Sequence, residues 1–166
     1  MCKSSESNSA PDRTAEEQVR AIFLNLPACS EEVYRQLSFE DRNLVDVLCF
    51  IEEVDNGGLD QFFYNSIGDH AAETLESLEQ IGATETLAIL RDAFALFPGG
   101  APSRNGTDRQ NELIAIRFAY CREPKDLDQC NSELVALDER FFSRSEDLYA
   151  LMLSKWRAAK TTRPAS

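Results

Sequence analysis

Apolar residues recur every three or four positions along almost the whole of this sequence, and this spacing limits the fold more than any other feature. The clearest set is Leu44, Val47, Leu48, Ile51 and Val54. Side chains three or four apart lie on one face of an α-helix, whereas a half-buried strand needs strict alternation. No segment alternates convincingly. The sequence therefore predicts an all-α protein, an irregular bundle of about eight helices in a single domain.

Start and stop signals divide this spacing into separate helices. Thr14 and Glu17 form a capping box, and Ser30 and Ser38 precede two further helices. The segment Asn56-Gly57-Gly58 is predicted to end the longest helix, because glycine adopts the left-handed conformation without a steric penalty. These signals make the helices short and their connections tight.

The second half of the pattern contains a short aromatic helix and one clear loop. We expect the aromatic helix to run from Leu59 to Ile67, and Asp69 to cap the helix that ends at about Ile81. Thr84 is expected to cap the following helix. The loop Pro98–Gly106 is rich in Pro, Gly, Ser and Asn, which is typical of an irregular connection.

The chain divides into a disordered leader at residues 1–14, a single helical domain at residues 15–160 and a flexible tail at residues 161–166. The leader is polar and lacks the apolar stretch of a secretory signal. No apolar run approaches the roughly 18 residues that a membrane span needs. The five cysteines are odd in number and form no C-x-x-C pair, which is typical of reduced thiols. We therefore predict a cytoplasmic protein without a membrane segment.

The acidic residues are concentrated in one third of the chain. Residues 31–85 contain fourteen acids and two bases. The charge of this segment therefore equals the formal net charge of the whole protein, −12. The remaining residues are balanced. Such a band predicts an acidic surface and a partner of opposite charge. It argues against direct nucleic-acid binding, which requires clustered Lys and Arg.

Two predicted helices, residues 39–55 and 69–81, would carry most of this charge. The predicted partner-binding residues are Glu52, Glu53, Asp55, Asp60, Asp69, Glu73, Glu76 and Glu79. Acids three or four apart on one helix give one charge per roughly 4.5–6 Å, whereas duplex DNA carries one per about 1.7 Å. Only two or three adjacent helices could approach that density. The alternative, that the acidic face serves only solubility, remains open.

The least ordinary segment is the corner Asn56–Ser66. Its notable residues are Asn56, Gly57, Gly58, Gln61, Phe62, Phe63, Asn65 and Ser66. Gln61 and Asn65 are four apart, so their amides should share one helical face. A structural role explains the segment: glycines for a tight corner, aromatic rings for anchoring, and amides for exposed backbone groups. A polar pocket is the alternative.

Catalytic and ligand-binding patterns are few. His70 is the only histidine and lies at a predicted helix start, where a solvated residue of the capping turn is expected. No glycine-rich phosphate loop is present. We therefore predict no catalytic residue, no metal site and no cofactor.

The corner also carries a resemblance to a known family. Residues 52–58, followed by Gln61-Phe62-Phe63-x-Asn65-Ser66, resemble the signature of a bacterial family named for a DNA-mimic protein. The similarity covers roughly residues 40–155 and includes Ile81-Gly82-Ala83, Phe97-Pro98 and Leu137-Asp138-x-x-Phe141. The resemblance implies an all-α protein that forms a homodimer and occupies the DNA-binding face of a basic DNA-binding protein or transcription factor.

The leading interpretation is a non-enzymatic acidic binding protein of this kind. One alternative is an immunity-type or other protein-interaction module that uses a less charged surface, such as the Pro98–Gly106 loop. The other is an enzyme with a polar pocket at the Asn56–Ser66 corner. A cleft at Gln61 and Asn65 on which a carboxylate or His70 converges would support the enzyme.

Overall fold

The computed structural model describes residues 13–27, 30–119 and 133–162, and these residues form eight α-helices. The helices are α1 (Ala15–Leu24), α2 (Glu31–Gln36), α3 (Phe39–Tyr64), α4 (Ala71–Ile81), α5 (Thr84–Phe94), α6 (Gly106–Ala119), α7 (Glu133–Ser143) and α8 (Leu148–Thr162). Short 3-10 turns occupy Ser66–His70 and Pro98–Gly100. The predicted all-α bundle is confirmed, and the described ranges contain no strand. None of their helices combines the length and hydropathy needed to cross a bilayer.

The predicted terminal segments lie mostly outside the described residues. Of the leader, only Arg13 and Thr14 are described, and Thr14 forms the predicted capping box with Glu17. Of the tail, Thr161 and Thr162 belong to α8, so this helix continues past the predicted end of the domain.

Helix α3 is the centre of the bundle. It packs against α1, α4, α6, α7 and α8. Its buried Phe50 ring meets Phe62 edge-on, with 4.9 Å between ring centroids, and Phe141 of α7 edge-on at 5.6 Å. Burying a phenylalanine side chain contributes about 1.5–3 kcal/mol, so this aromatic cluster is a large part of the core.

The predicted glycine stop is a break inside α3. Gly57 and Gly58 leave the helical conformation, and Gly58 has a φ of 74°. The second piece of α3 starts at Leu59, whose N–H donates to the Asp138 carboxylate of α7 at 2.8 Å. It ends at Tyr64, earlier than the predicted Ile67, because Asn65 takes an extended conformation before the 3-10 turn. The glycines therefore allow the helix to break, and a carboxylate from α7 caps the piece that begins at Leu59.

Replacing Gly58 by alanine is expected to lower the free energy of unfolding by about 2–4 kcal/mol. The left-handed conformation costs about 1–2 kcal/mol for an L-residue, and the new Cβ would lie 2.4 Å from an Asp138 oxygen. Urea unfolding measures the loss. Gly82→Ala is the matched control, because Gly82 has a φ of +80° and its new Cβ would meet no other atom within 4 Å beyond its chain neighbours. If both variants lose the same free energy of unfolding, the contact with Asp138 does not contribute to the loss at Gly58.

The start of α5 departs from its prediction. Thr84 is the predicted cap, but Ala83 holds the N-cap position and makes no side-chain cap bond. The N–H groups of Glu85 and Thr86 instead donate to the Glu146 carboxylate, each at 3.0 Å. The prediction for Thr84 is wrong because a residue about sixty positions away in the sequence satisfies these amides.

Candidate functional site

Most of the predicted partner-binding acids are ion-paired with arginines from outside residues 31–85. The ion pairs are Arg20–Glu52 (2.5 Å), Arg91–Glu79 (3.0 Å), Arg104–Glu73 (2.7 Å), Arg109–Asp69 (2.7 Å) and Arg117–Asp60. The fold therefore brings cations to the acidic band. Acidic and basic side chains are therefore much less separated on the surface than they are along the sequence.

Asp69 belongs to a buried network centred on Arg109. The Arg109 side chain is 0% exposed, and its Nη2 donates to Asp69 at 2.7 Å and to the Asn65 carbonyl at 3.0 Å. Its Nε donates to the Phe63 carbonyl at 2.6 Å, and Nη1 donates to the Ser103 carbonyl at 2.8 Å. One guanidinium thus joins the end of α3 to the loop before α6.

This network overturns the predicted cap at Asp69. Helix α4 begins at Ala71, and the residue in its N-cap position is His70, which makes no side-chain cap bond. The Asp69 carboxylate faces Arg109 instead of the amides of α4. The prediction is wrong because the carboxylate pairs with the opposite charge of a buried guanidinium, which a backbone amide does not offer.

Glu53 joins the two pieces of α3. Its Oε2 accepts hydrogen bonds from Gln61 Nε2 and Asn65 Nδ2, both at 2.8 Å. The two amides share a face, as their four-residue spacing predicts, but they bind this side chain rather than exposed backbone groups. Glu53 fixes the geometry of the corner through this one oxygen.

Asp60 and Glu73 are also held by the fold. Asp60 pairs with Arg117 and so connects the second piece of α3 to α6. Glu73 is half-buried, and one of its carboxylate oxygens has no hydrogen-bond partner among the described residues. The other oxygen pairs with Arg104 of the Pro98–Gly106 loop.

Carboxylates from α1 and α3 converge around Arg20. The Arg20 guanidinium binds Glu16 at 2.9 Å and Glu52 at 2.5 Å. Partial burial raises the pKa of Asp55, and the nearby carboxylates Glu52 and Glu16 raise it further, whereas Arg144 lowers it. We call Glu16, Glu52 and Asp55 the acidic patch. It brings together acids from two helices, one of which lies outside the acidic band.

Helix α4 presents two more acids to solvent. Glu76 is exposed and forms no hydrogen bond or ion pair with the described part of the chain. Glu79 pairs with Arg91 of α5, and both side chains are more than half exposed. An exposed pair of this kind contributes only about 0–1 kcal/mol, so a competing cation can replace it.

A buried polar cluster lies between α2, α3 and α4, and no pattern in the sequence predicts it. Asp46 is 6% exposed and accepts hydrogen bonds from Tyr34 Oη and Ser77 Oγ, both at 2.8 Å. Burial raises the pKa of Asp46 to about 6, although both hydrogen bonds oppose the rise. The ring of His70 lies 4.8 Å from that of Tyr34, and its Nε2 is 3.2 Å from Glu31. His70 is therefore packed at this cluster and does not reach the Asn56–Ser66 corner.

The described side chains offer no evident metal site. Within residues 13–27, 30–119 and 133–162, no group of three or more His, Cys, Asp or Glu side chains is arranged to hold a metal ion. The acids instead bind arginines, amides and helix N-termini.

Comparison with known proteins gives one match. The model of the family described as DMP19-like protein matches residues 35–160, about three quarters of the chain. No curated protein and no solved structure matches. The match rests on this whole region and singles out no motif at the Asn56–Ser66 corner. The prediction that the corner is the signature of the family is therefore wrong, and its residues are explained by the break in α3.

Proposed function

The chain belongs to the DMP19-like protein family, and on this premise we propose that it is a non-enzymatic acidic protein of the cytoplasm. It occupies the DNA-binding face of a basic DNA-binding protein or transcription factor, as DNA mimics do. The observation that carries the proposal is the convergence of Glu16, Glu52 and Asp55 from two helices. One helix alone spaces its acids too widely to imitate DNA.

Partner contact falls to the exposed acids. These are the three residues of the acidic patch, Glu16, Glu52 and Asp55, together with Glu76 and Glu79 of α4. The other predicted acids are bound within the fold, and they contribute to the electrostatic potential of the surface rather than to direct contacts. They are Glu53, Asp60, Asp69 and Glu73. Because the exposed ion pairs are weak, cations of a partner can displace Arg20 or Arg91.

The mechanism is electrostatic steering followed by replacement of these ion pairs. Complementary charge raises the association rate more than it raises the affinity, and salt screens it within a Debye length of about 10 Å at 0.1 M. A homodimer would present the acidic patch twice, and this part of the proposal rests on the family resemblance alone.

Of the two alternatives, the enzyme has one partial argument in its favour. A carboxylate, Glu53, does converge on Gln61 and Asn65, but one of its oxygens accepts both amides. His70 binds Glu31 at the other cluster. For the interaction module, the Pro98–Gly106 loop is anchored through Arg104 to Glu73. We therefore place the binding surface on the exposed acids.

Charge reversal tests the proposal. The partner is captured from the native cell at low salt with the full chain as bait, and then competed with duplex DNA. We expect Glu52→Lys with Asp55→Lys, or Glu76→Lys with Glu79→Lys, to weaken binding about tenfold or more, since about 1.4 kcal/mol is a factor of ten. The double variant that loses more affinity for the partner identifies the contact face.

The control variant reverses Glu133 and Glu139, two exposed acids of α7 outside the acidic band. It should bind as the wild type does. Binding that persists in roughly 0.5 M salt, where screening is stronger than at about 0.1 M, would contradict an electrostatic mechanism. A partner that duplex DNA fails to displace would contradict DNA mimicry.

A further inference from the structure

A groove runs along α3 between α1 and α2. One cavity of about 320 Å³ lies beside Leu24 and Leu48, and a second of about 130 Å³ lies beside Val45. Cys49 and Ile67 line both cavities, so the two adjoin, and we call them together the groove. The larger cavity has an apolar floor, and Glu53, which binds the amides of the Asn56–Ser66 corner, lies at its edge. The smaller cavity adjoins the polar cluster of Asp46, Tyr34 and His70.

An apolar side chain in the wall of this groove is unusually exposed to solvent. Leu24, in the last turn of α1, is 80% exposed, the highest value among the exposed large hydrophobic residues of the described chain. Burying a leucine side chain contributes about 1.5–3 kcal/mol. An occupant that covers Leu24 therefore gains binding energy that charge alone does not supply.

The rim of the groove is acidic. Glu31 of α2 and Glu52 of α3 lie on it, with side chains 51% and 50% exposed, and each pairs with an arginine: Arg35 at 2.8 Å and Arg20 at 2.5 Å. Exposed pairs of this kind contribute only about 0–1 kcal/mol, so cations of an occupant can replace them. Arg20 also lies on the rim, but it is already bound by Glu16 and Glu52. An occupant with cations beside its apolar face would match this arrangement.

The groove is long enough for a short helix. Seven residues separate Val45 from Glu52 on α3, which at about 1.5 Å per residue is roughly 10 Å. Two turns of a second helix have about the same length. Helices that bind in grooves insert apolar residues at positions i, i+3 or i+4, and i+7.

We propose that this groove binds a basic amphipathic helix of the partner, with its apolar face on Leu24, Leu48 and Ile67 and its Lys or Arg side chains beside Glu31 and Glu52. The inference rests on the proposed function, because it specifies how a basic partner is held. The acidic patch adjoins the groove through Glu52, so one partner can engage both.

A displayed library of random peptides of about 16 residues, roughly four helical turns, tests this occupant by selection on the full chain. We expect the enriched peptides to combine apolar residues at helical spacing with Lys or Arg. Fluorescence anisotropy of an enriched peptide should show about tenfold or more loss of affinity for Leu24→Asp. Phe142→Asp is the control on α7, where the side chain is 58% exposed, and should bind as the wild type does.

Several outcomes would overturn the inference: no enrichment, enriched peptides without helical spacing, or equal binding to wild type and Leu24→Asp. Circular dichroism checks the helix content of each variant, and Leu24→Ser replaces Leu24→Asp if the aspartate disturbs α1. Sedimentation supplies a further check. If Leu24→Asp converts a dimer into a monomer and Phe142→Asp does not, a second copy of the chain occupies the groove and the inference is wrong.

The two proposals fail separately. If no peptide binds the groove but reversal of Glu52 and Asp55 still releases a partner that DNA displaces, only the groove helix is wrong. If basic helical peptides bind the groove but no partner is displaced by DNA, the proposed function is wrong and the groove remains a peptide site.

Discussion

Replacing Arg109 by alanine is expected to lower the free energy of unfolding by about 3–5 kcal/mol, as breaking buried charge networks does. The guanidinium is completely buried and donates to the Phe63, Asn65 and Ser103 carbonyls as well as to Asp69. Each buried acceptor left without a donor costs about 1–3 kcal/mol. A new cavity beside Gly68 adds to the loss, because the backbone there lies against Arg109.

Urea unfolding followed by far-ultraviolet circular dichroism measures this effect. Arg91→Ala is the matched control, since Arg91 is an exposed arginine with a single carboxylate partner, Glu79, and should lose about 0–1 kcal/mol. Arg109→Lys should recover little, because an ammonium cannot reach acceptors on both sides of the planar guanidinium. A loss below about 1 kcal/mol for Arg109→Ala would show that the network does not hold the end of α3.

Replacing Asp46 by asparagine is expected to stabilise the protein by about 1–3 kcal/mol at pH 8, with the gain disappearing near pH 4. Burial raises the pKa of Asp46 from 3.8 to about 6, so the fold favours the protonated form. The contribution of Asp46 to the free energy of unfolding is therefore highest below about pH 4, where the group is protonated. It falls as the pH rises to about 6 and remains low above that pH. Asparagine carries no charge and removes this loss.

The amide keeps most of the hydrogen bonding. Its oxygen can accept from Tyr34, and its nitrogen can donate to Ser77 Oγ, which itself donates to Asn43 at 3.1 Å or to Asp46 in the native protein. Denaturant midpoints measured from about pH 4 to pH 8 test the sign. Glu76→Gln, the same carboxylate-to-amide change at an exposed position of α4, is the control. Asp46→Asn that is destabilising at about pH 8 would mean that hydrogen bonding to the charged form outweighs its burial.

The fold was predictable where the determinants are local. Thr14, Ser30 and Ser38 cap the helices that follow them, as their positions predict, since a cap bond spans only two or three residues. The restart after Gly58 and the first turn of α5 were not fully predictable. Their caps come from Asp138 and Glu146, which only the tertiary structure brings into place.

The candidate site was less predictable because the sequence does not show which charges the fold brings together. The acids of residues 31–85 are nearly free of bases in sequence, yet the fold brings Arg20, Arg91, Arg104, Arg109 and Arg117 to them. One of these arginines did leave a signal. Arg109 lies four and seven positions before Leu113 and Ile116, which are buried, so it continues the apolar face of α6. A cation on such a face indicates a buried network.

The contact between α5 and the segment before α8 also determines the order in which the chain can be completed. Thr86 donates through both its N–H and its hydroxyl to Glu146, and Ser145 donates to Glu85 at 2.6 Å in return. Each segment therefore supplies hydrogen-bond partners to the other. During synthesis α1, α2 and the first piece of α3 have local caps, whereas the restart of α3 and the first turn of α5 gain theirs only after residues 138 and 146 have left the ribosome. A chain truncated after α7 would therefore lose the cap of α5 as well as α8.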